Sequence, residues 1–499
     1  MRTKLLLFAL FLFITPRVIA QYNYNEQCKL AYKSIIDLRF DEAQNQLNSI
    51  KKKEPDNLIP LLLENYIDFL KITLNEDKAL FKTAQSQKKI RLKEWEKGSQ
   101  SNPYYRLGIA QMNLQWAFTR VIFGEYITAA IEIKEAYHLL EENKKLFPDF
   151  LPTNIGLGLL HTTIGIIPEQ YQWAINLFGL HGCIDQGLSE IKQVLETHKP
   201  EFQHFKPEAL FVYTFLKVNL KSGKSILTEL NQYYKRPEII LYSETSPLLQ
   251  FSEAVLLSKQ NNDVLLSFLQ SRPQNLNAEK LHFNRFMLAQ AKLNKFQPEA
   301  KKLFTDYVKN YPGENYKRSA AQKMAWMAFI QGDTLEYKVI MNRILTSKDT
   351  NLDADKEALK EAKKTTAGYL PNLYLLKSRI LFDGNYLDEA LSILQQANIG
   401  SFNDSEKLEL AYRKGRIYHH SNNFLQASYY YKLAIGLGEK YNSYFAGNSA
   451  LKLGEIYEMY GDKIQAKKYF KKCLSINFEE YNKSIRAKAK AGLLRLDSN

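Results

Sequence analysis

The sequence predicts an all-α chain: a superhelical α-α solenoid of paired helices, interrupted by one glycine-rich helical hairpin that leaves the repeat. Three observations lead there. Small residues and an aromatic recur at fixed offsets in several parts of the chain. Prolines and N-capping residues punctuate apolar runs of helical spacing. No long alternating segment bounded by hairpin turns points to strands. The 499 residues exceed one ordinary compact domain. A solenoid accommodates that length because each unit contacts only its neighbours.

The offsets are clearest near the C-terminus. Gly415 is followed by Ala427, Tyr431 and Ala434, and Gly454 by Ala466, Phe470 and Cys473, at 12, 16 and 19 residues in both cases. Looser copies carry Ala31, Ala43, Leu47 and Ile50 closed by Pro55, then Ala117, Gly124, Tyr126 and Ala129. Others carry Leu288, Phe296, Ala300, Phe304 and Pro312, and Ser378, Gly384, Tyr386 and Ala390. A small residue in the first helix admits close approach of the second, and the alanine twelve on faces the same contact. The aromatic is expected to fill the gap toward the next unit. Proline ends a second helix because it lacks a donor and clashes with the preceding turn.

In order along the chain, residues 1–20 read as a secretory signal. Arg2 and Lys4 precede the apolar run Leu5 to Ile14, which is too short to anchor in a bilayer, and Val18-Ile19-Ala20 offers a cleavage site before Gln21. Residues 21–149 hold N-terminal helical repeats, with a helix started by Asn102-Pro103 and a turn at Phe123-Gly124-Glu125. Residues 150–200 form the hairpin: Pro152 begins a helix rich in glycine and aliphatics, Pro168 stops it, and a second helix covers Asp185 to Leu195. Residues 201–365 hold central repeats, with three or four weaker helices over 205–275 whose turns are marked by Pro207, Pro237 and Ser243 to Pro247. Residues 366–499 hold the two clearest units and a lysine- and alanine-rich capping helix from Ile485 to Leu496.

The formal charge is +15, but lysines alternate with glutamates. The densest cluster, Lys51 to Lys53, falls where cations cap a helix C-terminus, so no nucleic-acid partner is expected. Cys28, Cys183 and Cys473 are odd in number and far apart, which is no disulfide framework. No later segment is apolar enough to span a membrane in the mature chain. No HExxH, GxSxG or phosphate-binding loop is present, and the adjacent His419 and His420 point about 100° apart on a helix. His161 reads as a satisfied buried histidine. A non-enzymatic protein with no cofactor and no metal is expected.

These units resemble tetratricopeptide repeats. The C-terminal run from GRIYHH to KAKAGLLRL also resembles exported helical-repeat proteins common in Bacteroidetes. The segment GLGLLHTTIGIIPEQYQWAINLFGLHGCIDQGLSEI is similar to the central signature of a eukaryotic tetratricopeptide family linked to inclusion-body clearance, through Pro168, Phe178, Gly179, Gly182, Gly187 and Leu188. The signal-like start and the absence of a cysteine framework lead to the expectation of a periplasmic protein, and a paired-helix solenoid is expected to act as a scaffold that binds a protein or peptide on a concave surface built by first helices. In the two best units, the inner-surface candidates are Arg413, Arg416, His420, Lys452, Glu455 and Met459, with the cations facing an acidic segment or a terminal carboxylate. Two alternatives stay open. One is a structural part of an envelope assembly or secretion complex. The other is a small-ligand or lipid site on the 156–182 hairpin, using Trp173 and Phe178.

Overall fold

The computed structural model describes residues 21–167, 175, 178–220, 224–272, 278–348, 350, 352–438, 441 and 443–498. The expected signal segment, Pro168 and Trp173 lie outside the described residues. Among those described, the fold is all-α with 25 α-helices, and the one isolated β-bridge joins Gln21 to Asn57. No described helix is long and apolar enough to cross a membrane. The chain divides into two compact units, one of Met1–Gly165, Asn176–Val212 and Asn277–Glu279, the other of Ile166–Ile175, Tyr213–Leu276 and Lys280–Asn499.

The first unit holds α1 (Glu26–Ile36), α2 (Phe40–Lys53), α3 (Ile59–Asn75), α4 (Lys78–Trp95), α5 (Pro103–Ile122), α6 (Tyr126–Leu146), α7 (Thr153–Ile166, less its last residue) and α8 (Ile184–Glu196), and the start of α9 (Lys206–Leu220). Local chemistry sets these boundaries. Asn102 caps α5 by accepting from the Tyr104 amide, with Pro103 in the first turn. Gly124 makes the turn to α6 at φ +81°, a conformation that costs glycine little. Lys51, Lys52 and Lys53 close α2, where they face the negative end of its dipole. Ala31, Ala43, Leu47 and Ile50 are all buried in the α1–α2 contact.

Gly158 and Gly187 bring α7 and α8 into backbone contact. A Cβ on Gly158 would lie 2.5 Å from the Gly187 carbonyl oxygen, and one on Gly187 would lie 2.3 Å from the Gly158 oxygen. Gly182 similarly sits against the backbone of His161. His161 is buried with both ring nitrogens engaged, Nδ1 at 2.7 Å from Glu190 Oε2 and Nε2 at 3.1 Å from Glu141 Oε1. That is the satisfied environment its residue type favours.

The second unit holds α10 (Lys224–Tyr234), α11 (Pro237–Thr245), α12 (Pro247–Leu257), α13 (Asn262–Ser271), α14 (His282–Leu293), α15 (Glu299–Asn310), α16 (Lys317–Ile330), α17 (Thr334–Leu345), α18 (Asp353–Thr366), α19 (Leu373–Asp383), α20 (Leu387–Gln395), α21 (Asp404–His420), α22 (Phe424–Gly438), α23 (Tyr444–Met459), α24 (Lys463–Ser475) and α25 (Asn482–Ser498). Sequence-adjacent helices pack on each other through most of this unit, and alternate helices touch as well: α14 with α16, α16 with α18, α19 with α21, α21 with α23, and α23 with α25, while α16 also touches α19 past the extra helix α18. This repeating arrangement is that of a helical solenoid.

Three details differ from the sequence reading. Pro207 marks no turn and is the second residue of α9, where a missing amide hydrogen removes no intrahelical bond. Ser243 lies inside α11. The break comes at Ser246, whose side chain accepts from the Leu249 amide before Pro247 opens α12. Five short helices therefore occupy 206–271 where three or four were expected. The repeat aromatics also pack on their own unit's glycine. A Cβ on Gly415 would meet the Tyr431 ring at 2.6 Å, and one on Gly454 would meet Phe470 at 2.6 Å. Phe470 then reaches on to α25 as expected, because a Cβ on Gly492 would meet its far edge at 2.6 Å.

Candidate functional site

The first helices α16, α19, α21 and α23 stand in succession within the second unit. Each places a cation in the same neighbourhood. The Arg379 guanidinium lies 4.8 Å from the Trp326 ring of the preceding first helix, and Arg416 lies 4.1 Å from the Phe382 ring of the one before it. Lys323 Nζ lies 5.5 Å from the same Trp326 ring. Each guanidinium is held by an aromatic ring of the neighbouring helix, an attraction worth about 0.5–2 kcal/mol according to how dry the site is.

Arg379 and Arg416 open on a cavity of about 450 Å³. Its wall includes Asp383, Tyr412, Arg413, His419, His420, Tyr444, Asn448, Lys452, Tyr481 and Lys488. Among its lining are five Lys or Arg side chains and one carboxylate, Asp383. Two of the cations are already matched: Arg413 Nε is 2.7 Å from Glu409 Oε1, and Lys452 Nζ is 2.7 Å from Glu455 Oε2. Arg379 and Arg416 form no ion pair among the described residues. Burial works against their charge, but the nearby groups together, led by Asp383 and including Glu361 at Arg379 and led by Tyr412 and Asp383 at Arg416, outweigh it, and both stay charged.

The histidines leave that positive field unopposed and unaugmented. Burial, then the neighbouring Lys452, pushes His419 down to about 4. Burial, then Arg416, His419 and Lys452, does the same to His420, an exposed residue of the cavity lining. Both imidazoles are neutral at neutral pH. The Asn448 amide donates to Tyr412 Oη at 2.7 Å, which fixes that phenol at the cavity wall. The arrangement suits an anionic group with flat or apolar neighbours: guanidiniums for the charge, phenols for surface.

Of the residues singled out from sequence, Arg413, Arg416, His420 and Lys452 meet at this cavity. Glu455 sits beside it as the partner of Lys452, and Met459 is exposed at the end of α23 outside the lining. Phe178 belongs to the first unit, where it is exposed with Lys134 Nζ 5.4 Å from its ring. Arg379, Tyr444, Tyr481 and Lys488 were missed. Arg379 follows Ser378 as Arg416 follows Gly415, so the repeat register marked it. Lys488 comes from the terminal helix, which the repeat pattern does not cover. Among the described residues, no group of three or more His, Cys, Asp and Glu is placed to hold a metal ion. No protein-family model and no curated protein matches the chain.

Proposed function

We propose that this chain is an exported, non-enzymatic scaffold of tetratricopeptide type that works in the periplasm and holds an acidic segment of another protein. The segment lies in the cavity between α19, α21 and α23. One observation carries the reading: two guanidiniums, Arg379 and Arg416, are held on aromatic rings and turned to a sizeable cavity with no ion pair of their own. The lining carries five Lys or Arg side chains against the single carboxylate of Asp383, and that excess in a polar, tyrosine-walled space favours an incoming carboxylate. The recurring offsets support the tetratricopeptide assignment, and the charged start followed by a short apolar run supports export. The described glycines Gly158 and Gly182 of the 156–182 segment are better explained as packing positions, Gly158 against Gly187 of α8 and Gly182 against His161 of α7.

The test is a crosslink-stabilised pull-down of the mature protein from native envelope extract. A partner retained near one-to-one by the wild type and lost by the folded Arg379→Glu/Arg416→Glu protein supports the scaffold. A partner retained equally by both proteins, or recovery of the chain alone, removes the cavity from consideration as a protein-binding site.

A further inference from the structure

A second cavity lies inside the first unit, where α1, α3, α5 and α9 bring Tyr32, Tyr66, Gln111 and Glu208 together. Tyr66 Oη donates to Glu208 at 3.0 and 3.2 Å from its two oxygens, Gln111 Nε2 donates at 3.3 Å, and Tyr32 Oη also donates to it. Three neutral donors converge on both oxygens, which suits the carboxylate, an acceptor at every position. Yet Glu208 has no ion pair among the described residues, and burial raises its pKa, only partly offset by the bonds from Tyr32, Tyr66 and Gln111. A deep carboxylate without a cation is costly.

The surroundings do not provide that cation. His204, next to the cluster, is pushed down to about 3 by burial and then by Lys29, so its ring is neutral. Lys29 itself is paired with Glu26 at 2.7 Å. The same cavity is lined by aromatic rings, with Tyr24 5.6 Å from Tyr104 and 5.5 Å from Phe205 and Tyr32 5.6 Å from Tyr66, and by the aliphatic Leu62, Leu63, Leu107, Pro152 and Ile155. The open space in this cavity is about 20 Å³, room for one group about the size of a water molecule and not for a bulky quaternary one. Tyr24, Tyr104 and Gln111 are only half-buried, and they form its rim.

We propose that this cavity binds a primary ammonium group, with the Glu208 carboxylate as counter-charge and the surrounding tyrosine rings as cage. Aromatic rings attract a cation through their negative faces, and the carboxylate supplies the charge balance the protein itself does not. The group comes from a free small amine or from the side chain of a lysine presented by another protein, and the two differ in the reach they need past the Tyr24–Tyr104 rim.

The full mature chain is titrated by calorimetry with methylammonium, tetramethylammonium and the peptide acetyl-Gly-Lys-Gly-amide, at constant ionic strength set by potassium chloride. Saturable methylammonium binding is expected, with tetramethylammonium excluded, and Glu208→Gln should weaken it roughly tenfold or more. Tyr104→Leu at the rim should weaken it several-fold while leaving the helix content unchanged. Binding of the lysine peptide as well identifies a side-chain ammonium, and binding of methylammonium alone identifies a free amine. Absence of a saturable methylammonium signal, or equal affinity in folded Glu208→Gln, overturns the proposal. If Glu208→Gln does not fold, unchanged affinity in Tyr104→Leu overturns it instead.

Discussion

Phe470 is fully buried and clasped between two glycines, Gly454 on α23 and Gly492 on α25. A Cβ at Gly454 would stand 2.6 Å from Cδ1 and Cε1 of that ring, and retreat is limited because Gly492 backs the other edge so closely that a Cβ there would also stand at 2.6 Å. Gly454→Ala therefore brings two opposed effects. Alanine gains about 1 kcal/mol of helix propensity over glycine, and overpacking a filled site costs about 1–3 kcal/mol. The net expectation is destabilisation of up to about 2 kcal/mol. Phe470→Ala alone costs about 3–5 kcal/mol through lost burial and a residual cavity. In that background the clash is gone, so adding Gly454→Ala should now stabilise by about 1 kcal/mol. The sign reversal corresponds to a coupling of about 1–3 kcal/mol. Hydrogen exchange of peptides from residues 444–475 reads this locally, which suits an array whose units open separately. An effect of Gly454→Ala with the same sign and size in both backgrounds would refute the clasp.

Three further outcomes follow from buried charges. Glu132 takes Lys88 at 2.7 Å and Arg120 at 3.0 Å, and all three side chains are largely buried. Glu132→Ala should destabilise α4–α6 by about 3–5 kcal/mol by leaving the buried Lys88 unmatched and Arg120 with Glu125 alone, whereas Lys88→Met should cost less because Glu132 keeps Arg120; exchange over residues 78–146 distinguishes them. His204 titrates at about 3 in the fold, lowered first by burial, and near 6.5 when unfolded. The unfolded chain thus takes up a proton that the fold refuses, and stability falls as pH drops from about 6.5 toward 3, by about 2 kcal/mol at pH 5. Melts at pH 7.5 and 5 should show a smaller difference for His204→Phe, and an unchanged difference would contradict the neutral, unbonded ring. Finally, partner retention on the Arg379–Arg416 cavity should weaken as salt rises from 0.05 to about 0.3 M, and salt-insensitive retention in the same pull-down would argue against a charge-led contact.

Helix boundaries were legible where one residue decides them. Asn102-Pro103 opens α5, Gly124 turns to α6, and the offsets from Gly415 and Gly454 mark helix pairs that do pack together. Residues 206–271 were less legible. Their helices are nine to fifteen residues long, too short for apolar spacing to fix an end, and Pro207 is compatible with both a turn and a first helical turn. Part of the cavity in the second unit could be read because Arg413, Arg416, His420 and Lys452 share two first helices. Arg379 sat one repeat earlier in the same register and needed only the weaker Ser378 unit to be taken seriously. The Glu208 cage could not be read at all, because its carboxylate and phenols come from four helices, and no local pattern records which of the chain's 31 tyrosines converge on one glutamate.

The most direct test of the acidic-segment reading is where the partner touches. A photo-crosslinking residue is placed at Ser484 or Lys488, exposed on the cavity wall, and in separate proteins at Leu425 or Ile464, which are 80 % exposed on the second helices and outside the lining. The account predicts one crosslinked protein from Ser484 and Lys488, attached through an Asp- or Glu-rich segment, with none from Leu425 and Ile464. Crosslinking from Leu425 or Ile464 alone, or attachment from the cavity to a basic segment, would contradict it.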